Sequence, residues 1–194
     1  MTFRFVAIAV LSLTLSACST SKGGLRYATP ATSTTTTAAG NAAIGRFADE
    51  RGEPANWLGA IRGGFGNPLK KIETEQPVAD VVQSAFADAL RSRGLLATEG
   101  ARTRIEGTIR RLDGDKFARS ESNAEIVVRV VDVGAGTTTF ERTYVTATIE
   151  GSALTLKTGI FASVDELRDL IARTLSQTID KALDDPELRA ALGS

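Results

Sequence analysis

Apolar positions along the chain follow two periods, one helical and one extended. Between Pro77 and Gly94, the residues Val78, Val81, Val82, Ala85, Phe86, Ala89 and Leu90 recur at the spacing of one buried helical face. Pro77 suits the start of that helix, because its missing N–H lies where no intrahelical acceptor exists. Asp80 in the first turn and Arg91 and Arg93 in the last complement the helix dipole, and Gly94 supplies a left-handed end. A second helix is predicted from Ser163, where Glu166 completes a capping-box pattern. Its stripe is Val164, Leu167, Leu170, Ile171, Leu175, Ile179, Ala182 and Leu183. Asp184-Asp185-Pro186 stops it, and Pro186–Leu192 adds a further turn or two.

Elsewhere the period is two. Ala43–Ala48 reads as a short strand closed by the turn Asp49-Glu50-Arg51-Gly52-Glu53-Pro54. Trp57–Ile61 and Leu69–Ile72 are two more short strands, separated by the glycine-rich loop Gly63–Pro68. Three longer strands follow. Residues 102–112 place Ile105, Gly107 and Ile109 on one face, opposite Arg104, Glu106, Thr108 and Arg110. Residues 124–133 are rich in valine, as a central strand should be. The turn Gly134-Ala135-Gly136 leads into Thr137–Glu150, where the apolar side switches near Tyr144 and predicts a bulge. This order predicts one α+β domain over residues 43–194: an antiparallel sheet of three short strands, a helix, a three-strand meander and a helix, with two helices packed on one face.

The first residues follow neither period. Arg4 precedes an uninterrupted run from Phe5 to Leu15 that is too short to span a bilayer. A positive start, a short apolar core and small residues after it describe a secretory signal peptide over residues 1–17. Leu15-Ser16-Ala17-Cys18 resembles the bacterial lipobox, which implies diacylglyceryl transfer to the Cys18 thiol and cleavage between Ala17 and Cys18. Cys18 is the only cysteine of the chain, so acylation removes what would otherwise be an unpaired thiol in an oxidising compartment. Ser19 after the cysteine, in place of Asp, favours sorting to the outer membrane. Residues 18–42 contain Gly23-Gly24, Pro30 and a serine-threonine run, and read as a lipidated flexible tether. Leu25-Arg26-Tyr27 interrupts it and is a candidate to dock on the domain, with a binding role for Tyr27 as the alternative. On this reading a protein beginning near Asn41 folds alone.

Composition narrows the chemistry further. The chain has 23 basic and 23 acidic residues and no histidine. That balance offers no basic surface for nucleic acid. The absence of histidine removes Ser-His-Asp and Cys-His catalysis and the common zinc and haem sites. No cofactor or metal is expected. Asp49 and Glu53 form the most concentrated acidic group and would carry any carboxylate-dependent hydrolysis, although Asp49 with Arg51 is more simply a turn ion pair. Gly59–Gly66 matches neither the phosphate-loop nor the dinucleotide spacing. Trp57, Ile61 and Phe65 are candidates for an apolar contact with an envelope protein partner. Arg102, Arg104, Arg110, Arg129 and Arg142, interleaved with Glu106, Glu125 and Glu141, predict cross-strand ion pairs rather than a headgroup site.

Together, several elements resemble the YajG family of bacterial lipoproteins: the lipobox, the tyrosine-bearing tether, the strand ending Phe47-Ala48-Asp49-Glu50-Arg51, the Gly-Asn-Pro loop and the helix ending Arg91-Ser92-Arg93-Gly94-Leu95. The resemblance implies location and shape, and no reaction. The expected function is a non-enzymatic binding or structural accessory, anchored by lipid at the periplasmic face of the outer membrane. The alternative is an auxiliary lipoprotein of an ABC-type lipid or solute transport system.

Overall fold

The computed structural model describes residues 19–28, 40–151 and 163–193. In chain order the elements are β1 (Ser19–Lys22), β2 (Ala42–Asp49), β3 (Trp57–Arg62), β4 (Pro68–Glu73), α1 (Val78–Ser92), β5 (Thr103–Lys116), β6 (Ser120–Asp132), β7 (Thr138–Glu150), α2 (Val164–Leu183) and α3 (Pro186–Leu192). They build one seven-stranded sheet in the order β1-β4-β3-β5-β6-β7, with β2 also paired to β5.

The 14 residues of β5 are long enough to hold two strands end to end on one edge. Its first half pairs with β2, parallel, from Ala42↔Thr103 to Asp49↔Ile109. Its last residues pair with β3, also parallel, from Gly59↔Gly114 to Ile61↔Lys116. The other edge carries β6 and then β7, both antiparallel, as the expected meander. Beyond β3, β4 is antiparallel and β1 is parallel to β4. The sheet is therefore mixed, which corrects the antiparallel arrangement expected of the short strands. The turn after β2 does not reverse the chain, so β2 and β3 both run in the direction of β5.

Between the two strands the edge of β5 would be left without partners, and Arg51 fills that gap. Its Nη1 donates to the carbonyls of Trp57 at 2.7 Å and Leu112 at 3.1 Å. Its other nitrogens grip Asp49 bidentately, Nε to Oδ1 at 2.8 Å and Nη2 to Oδ2 at 2.9 Å. The Glu50 amide adds a bond to the Ile109 carbonyl at 2.9 Å. The Arg51 side chain is only 2% exposed.

The core lies on the helix-covered face of the sheet. Ile105, Gly107 and Ile109 point there, and a bulge between Ile109 and Arg111 brings Leu112 and Gly114 to the same side. The Phe47 ring lies over Gly107 and stacks at 4.8 Å against Phe86 of α1, while Ile171 and Leu167 of α2 lie over Gly114. A side chain at either glycine would collide with these residues. Gly59 is more constrained still, because an added Cβ would stand 1.8 Å from the Gly114 carbonyl oxygen. It belongs to a strand pressed against its neighbour, not to the glycine-rich loop that follows.

The predicted helices form with their predicted stripes. Ser163 caps α2 by accepting from the Glu166 amide, and Gly94 takes the left-handed conformation after α1. The third helix, α3, is a separate element: Asp185 caps it, Pro186 opens it, and Leu188 and Leu192 are buried. The irregularity expected near Tyr144 lies instead at Thr139, between the pairs Val130↔Phe140 and Val131↔Thr138. Past it the alternation is unbroken. Phe140 and Tyr144 face the helices, and Val145 and Ile149 are exposed on the bare face at 57% and 55%.

Three substitutions test this packing in urea unfolding. Gly59→Ala is expected to lower stability by roughly 1–3 kcal/mol or more, the range for forcing atoms into a filled site. Gly64→Ala, where a Cβ meets nothing within 4 Å, should stay within ~0.5 kcal/mol. Arg51→Lys keeps the charge but lacks the planar fork. It leaves backbone carbonyls unpaired at the strand junction, with an expected loss of about 1–3 kcal/mol.

Candidate functional site

The described residues that follow the expected anchor position, 19–28, are folded onto the domain. Residues Ser19–Lys22 pair with Lys70–Glu73, and the Gly23 amide continues the pairing by donating to the Glu73 carbonyl at 3.1 Å. The chain then crosses α2. Leu25 and Tyr27 are 7% and 8% exposed and belong to the main hydrophobic cluster. The flexible tether expected over residues 18–42 is thus not one continuous linker: residues 19–28 are part of the domain. A protein beginning at Asn41 would lack an edge strand and two core side chains.

A buried polar cluster holds this segment down. The Tyr27 hydroxyl donates to Asp180 Oδ1 at 2.6 Å, and Arg93 donates to the Tyr27 oxygen from Nη1 and to Asp180 Oδ1 from Nη2, each at 2.7 Å. Asp184 stands 3.7 Å from Arg93 on the outer side. The Ala28 amide donates to Ser176 Oγ at 3.1 Å, and Arg168 reaches Ser21 from Nη2. Burial pushes the Tyr27 phenol up to about 12 from its ordinary 10.0, and the Asp180 carboxylate beside it adds to the shift. The phenol is therefore a neutral donor through the physiological range. A charged Arg93 and an Asp180 held by two donors make the cluster a latch that ties the N-terminal segment to the end of α1 and to α2. Between this segment and α2 runs an open cleft of about 590 Å³ whose lining alternates Arg26, Arg168 and Arg173 with Glu75 and Asp169.

The sequence did not point to Arg93 or Asp180. Arg93 reads as a dipole partner at a helix end, and Asp180 as one charge on the polar side of α2. Only Tyr27, an aromatic residue in a polar stretch, signalled a buried contact.

The other candidates are distributed around the sheet. Trp57, Ile61 and Phe65 do not share a surface. Ile61 is fully buried, Trp57 is partly buried where β3 starts, and Phe65 is fully exposed beyond the other end of that strand. The strand between Trp57 and Arg62 separates them by roughly 16 Å. Asp49 is occupied by Arg51. Burial would raise its carboxyl, but the Arg51 hydrogen bonds outweigh that and hold it below its ordinary value. Glu53 is exposed in the following turn. On the bare face Arg129 pairs with Glu141 and Arg110 with Glu125, both at 3.7 Å, and Arg104 with Glu106 at 2.6 Å. Arg102 is exposed at the start of β5.

Arg142 departs from the expected stripe. It is on the helix side, donating to Asp185 at 2.5 Å and Glu187 at 2.8 Å. Tyr144 also donates to Asp185, at 2.7 Å. These bonds, with the Glu187 amide, outweigh burial and hold the Asp185 carboxyl below its ordinary value. Ala17 and Cys18 lie outside the described residues. Among the described residues no helix is long and apolar enough to cross a membrane, and no cluster of three metal-ligating side chains occurs.

A mixed sheet with helices on one face, and an N-terminal strand clamped to its edge, defines an α+β domain tied down at its first residues. The chain belongs to a lipoprotein family of uncharacterized function, whose family model matches residues 32–193. This is the YajG-like family that the strand, loop and helix motifs resembled. No functionally curated protein matches it. Among solved structures it is similar to a protein of Xanthomonas campestris, at 13% identity over 85% of this chain and 92% of that one, with a TM-score of 0.60. An uncharacterized protein matches at 10% identity over 90% and 99% of the two chains, with a TM-score of 0.54. A Caulobacter crescentus protein labelled a lipoprotein matches at 16% identity over 76% and 91%, with a TM-score of 0.44. At such identities the first two show a shared fold.

The latch has a pH signature. Because the folded state raises the Tyr27 pKa, its contribution is complete below about pH 10 and is lost as pH rises toward 12. Tyr27→Phe is expected to cost roughly 1–2 kcal/mol near neutral pH. It should also remove that share of the alkaline decline. Urea titrations of both proteins at neutral and strongly alkaline pH check both effects.

Proposed function

We propose that this chain is a periplasm-facing lipoprotein of the outer membrane, acylated at Cys18, and that it acts as a non-enzymatic binding or structural accessory of the envelope. Membership of the lipoprotein family supports the anchor. The observation that carries the reading is the position of β1. Among the described residues the first strand starts at Ser19, the residue after the lipobox cysteine. The Tyr27–Arg93–Asp180 latch and the β1–β4 pairing then transmit a pull on the acyl group to the whole sheet. Signal-peptide removal before Cys18 leaves a residue that needs only its acyl chains to hold the domain at the bilayer. Several chains, at about 0.8 kcal/mol per buried methylene, make attachment effectively permanent. Ser19 favours the outer membrane over the inner.

Cys18→Ala is expected to abolish incorporation of labelled palmitate and to leave the uncleaved precursor or a soluble periplasmic product. A variant that still carries palmitate and still sediments with outer membrane would overturn the assignment of Cys18.

A further inference from the structure

One end of the sheet collects the exposed apolar side chains of the domain. Of the six large hydrophobic residues exposed among the described residues, Phe65 is 101% exposed, Ile149 55%, Phe117 52% and Leu69 37%, and all four lie near this end. The strand register brings them together. Arg62 pairs with Pro68, Ile61 with Lys116, and Ser120 with both Lys116 and Glu150. The β3–β4 turn bearing Phe65, the β5–β6 turn bearing Phe117 and the last residues of β7 therefore project from the same edge of the molecule. Val133, which is 44% exposed, lies at the opposite end, where β6 turns into β7.

The N-terminus leaves from this end as well. β1 is parallel to β4 with Ser19 opposite Lys70, one residue from Leu69. Cys18 is bonded to Ser19, so an acyl group on it would leave the domain at this end. The Phe65 turn is held rather than loose: the Gly63 amide donates to the Asn67 carbonyl at 2.9 Å, the Gly66 amide to the Gly63 carbonyl at 2.8 Å, and Arg62 to the Gly66 carbonyl at 3.2 Å. A closed turn that presents a full phenyl ring to water is suited to insertion, because the backbone keeps its bonds while the ring changes solvent. The charges at the turns are paired, while Lys70 and Lys71, beside Leu69 on β4, have no carboxylate partner among the described residues. Arg62 pairs with Asp115, Lys116 with Glu166, and Arg119 with Glu121.

The geometry points to this end of the domain as a membrane-contact surface, with Phe65, Leu69 and Phe117 entering the lipid interface beside the anchored N-terminus. The inference rests on acylation at Cys18 for its orientation and deepens that reading: the lipoprotein stands with its sheet end on the bilayer. Since the charges at the Phe65 and Phe117 turns are mutually paired, contact there is apolar and survives high salt, and zwitterionic lipid suffices.

Acylation blocks the only native thiol, so Phe65→Cys, Phe117→Cys and Val133→Cys each introduce a single labelling site in the full lipidated protein. Each is coupled to an environment-sensitive fluorophore and mixed with phosphatidylcholine vesicles, with or without nitroxide-bearing acyl chains. Labels at 65 and 117 are expected to shift to the blue and lose most of their emission to the nitroxide, at low and high salt alike, while the label at 133 does neither. Equal responses at 65, 117 and 133, or shielding at 65 that needs an added protein instead of lipid, would overturn the inference. The mass of the N-terminal peptide reports acylation separately. A bare Cys18 defeats the anchor, while the quenching comparison still decides whether this end meets lipid.

Discussion

Arg51 holds together two strands that share one edge of β5. A strand pair normally satisfies its backbone with its own ladder, but β2 and β3 meet in line and leave a break opposite the β5 bulge. The Arg51 fork closes that break with bonds to the Trp57 and Leu112 carbonyls, while Asp49 neutralises and orients it. Side-chain bonds that replace missing ladder bonds matter because a buried carbonyl without a donor costs more than a typical bond contributes. Everything on the β4 side depends on this joint. β3 carries β4, and β4 carries β1, so the N-terminal strand is correctly placed only if β3 is held against β5.

The N-terminal latch extends the same logic to function. Most charged pairs of this domain are exposed and contribute little individually. Arg93 is different: its side chain is 7% exposed and its partners come from the N-terminal segment and α2. Such a cluster selects one docking position for residues 19–28, since any slip leaves a buried guanidinium or phenol unpaired. With the proposed anchor at Cys18, a fixed β1 beside it would make the orientation of the domain a property of the fold. A long flexible leash would leave it free.

The apolar face of each long helix, the caps at Ser163 and Gly94 and the β5–β7 meander were all legible in the sequence, because local periodicity and end signals specify them. So were the Asp49–Arg51 pair and the ion pairs across the bare sheet face, which follow from alternation once the meander is assigned. Strand direction was not legible at the short strands. Period-two patterning is identical for parallel and antiparallel neighbours, and the turn between β2 and β3 has the composition of a reversing turn without reversing. The apparent switch of apolar side near Tyr144 had a similar cause. Val145 and Ile149 look like core residues, yet they stand on a face that no helix covers.

The sequence by itself therefore determined the two long helices, the strands from β2 to β7, the α+β class and the single thiol, since each is written in neighbouring residues. Tertiary structure alone decided which polar residues met. Arg93 and Asp180 are 87 residues apart and Tyr27 and Asp180 are 153 apart, and no local pattern relates them. It also decided the fate of Trp57, Ile61 and Phe65, close together in the chain yet placed partly buried, inside and out. A strand carries its two ends to opposite sides of a domain, and the alternation of its faces separates residues that the sequence sets close together.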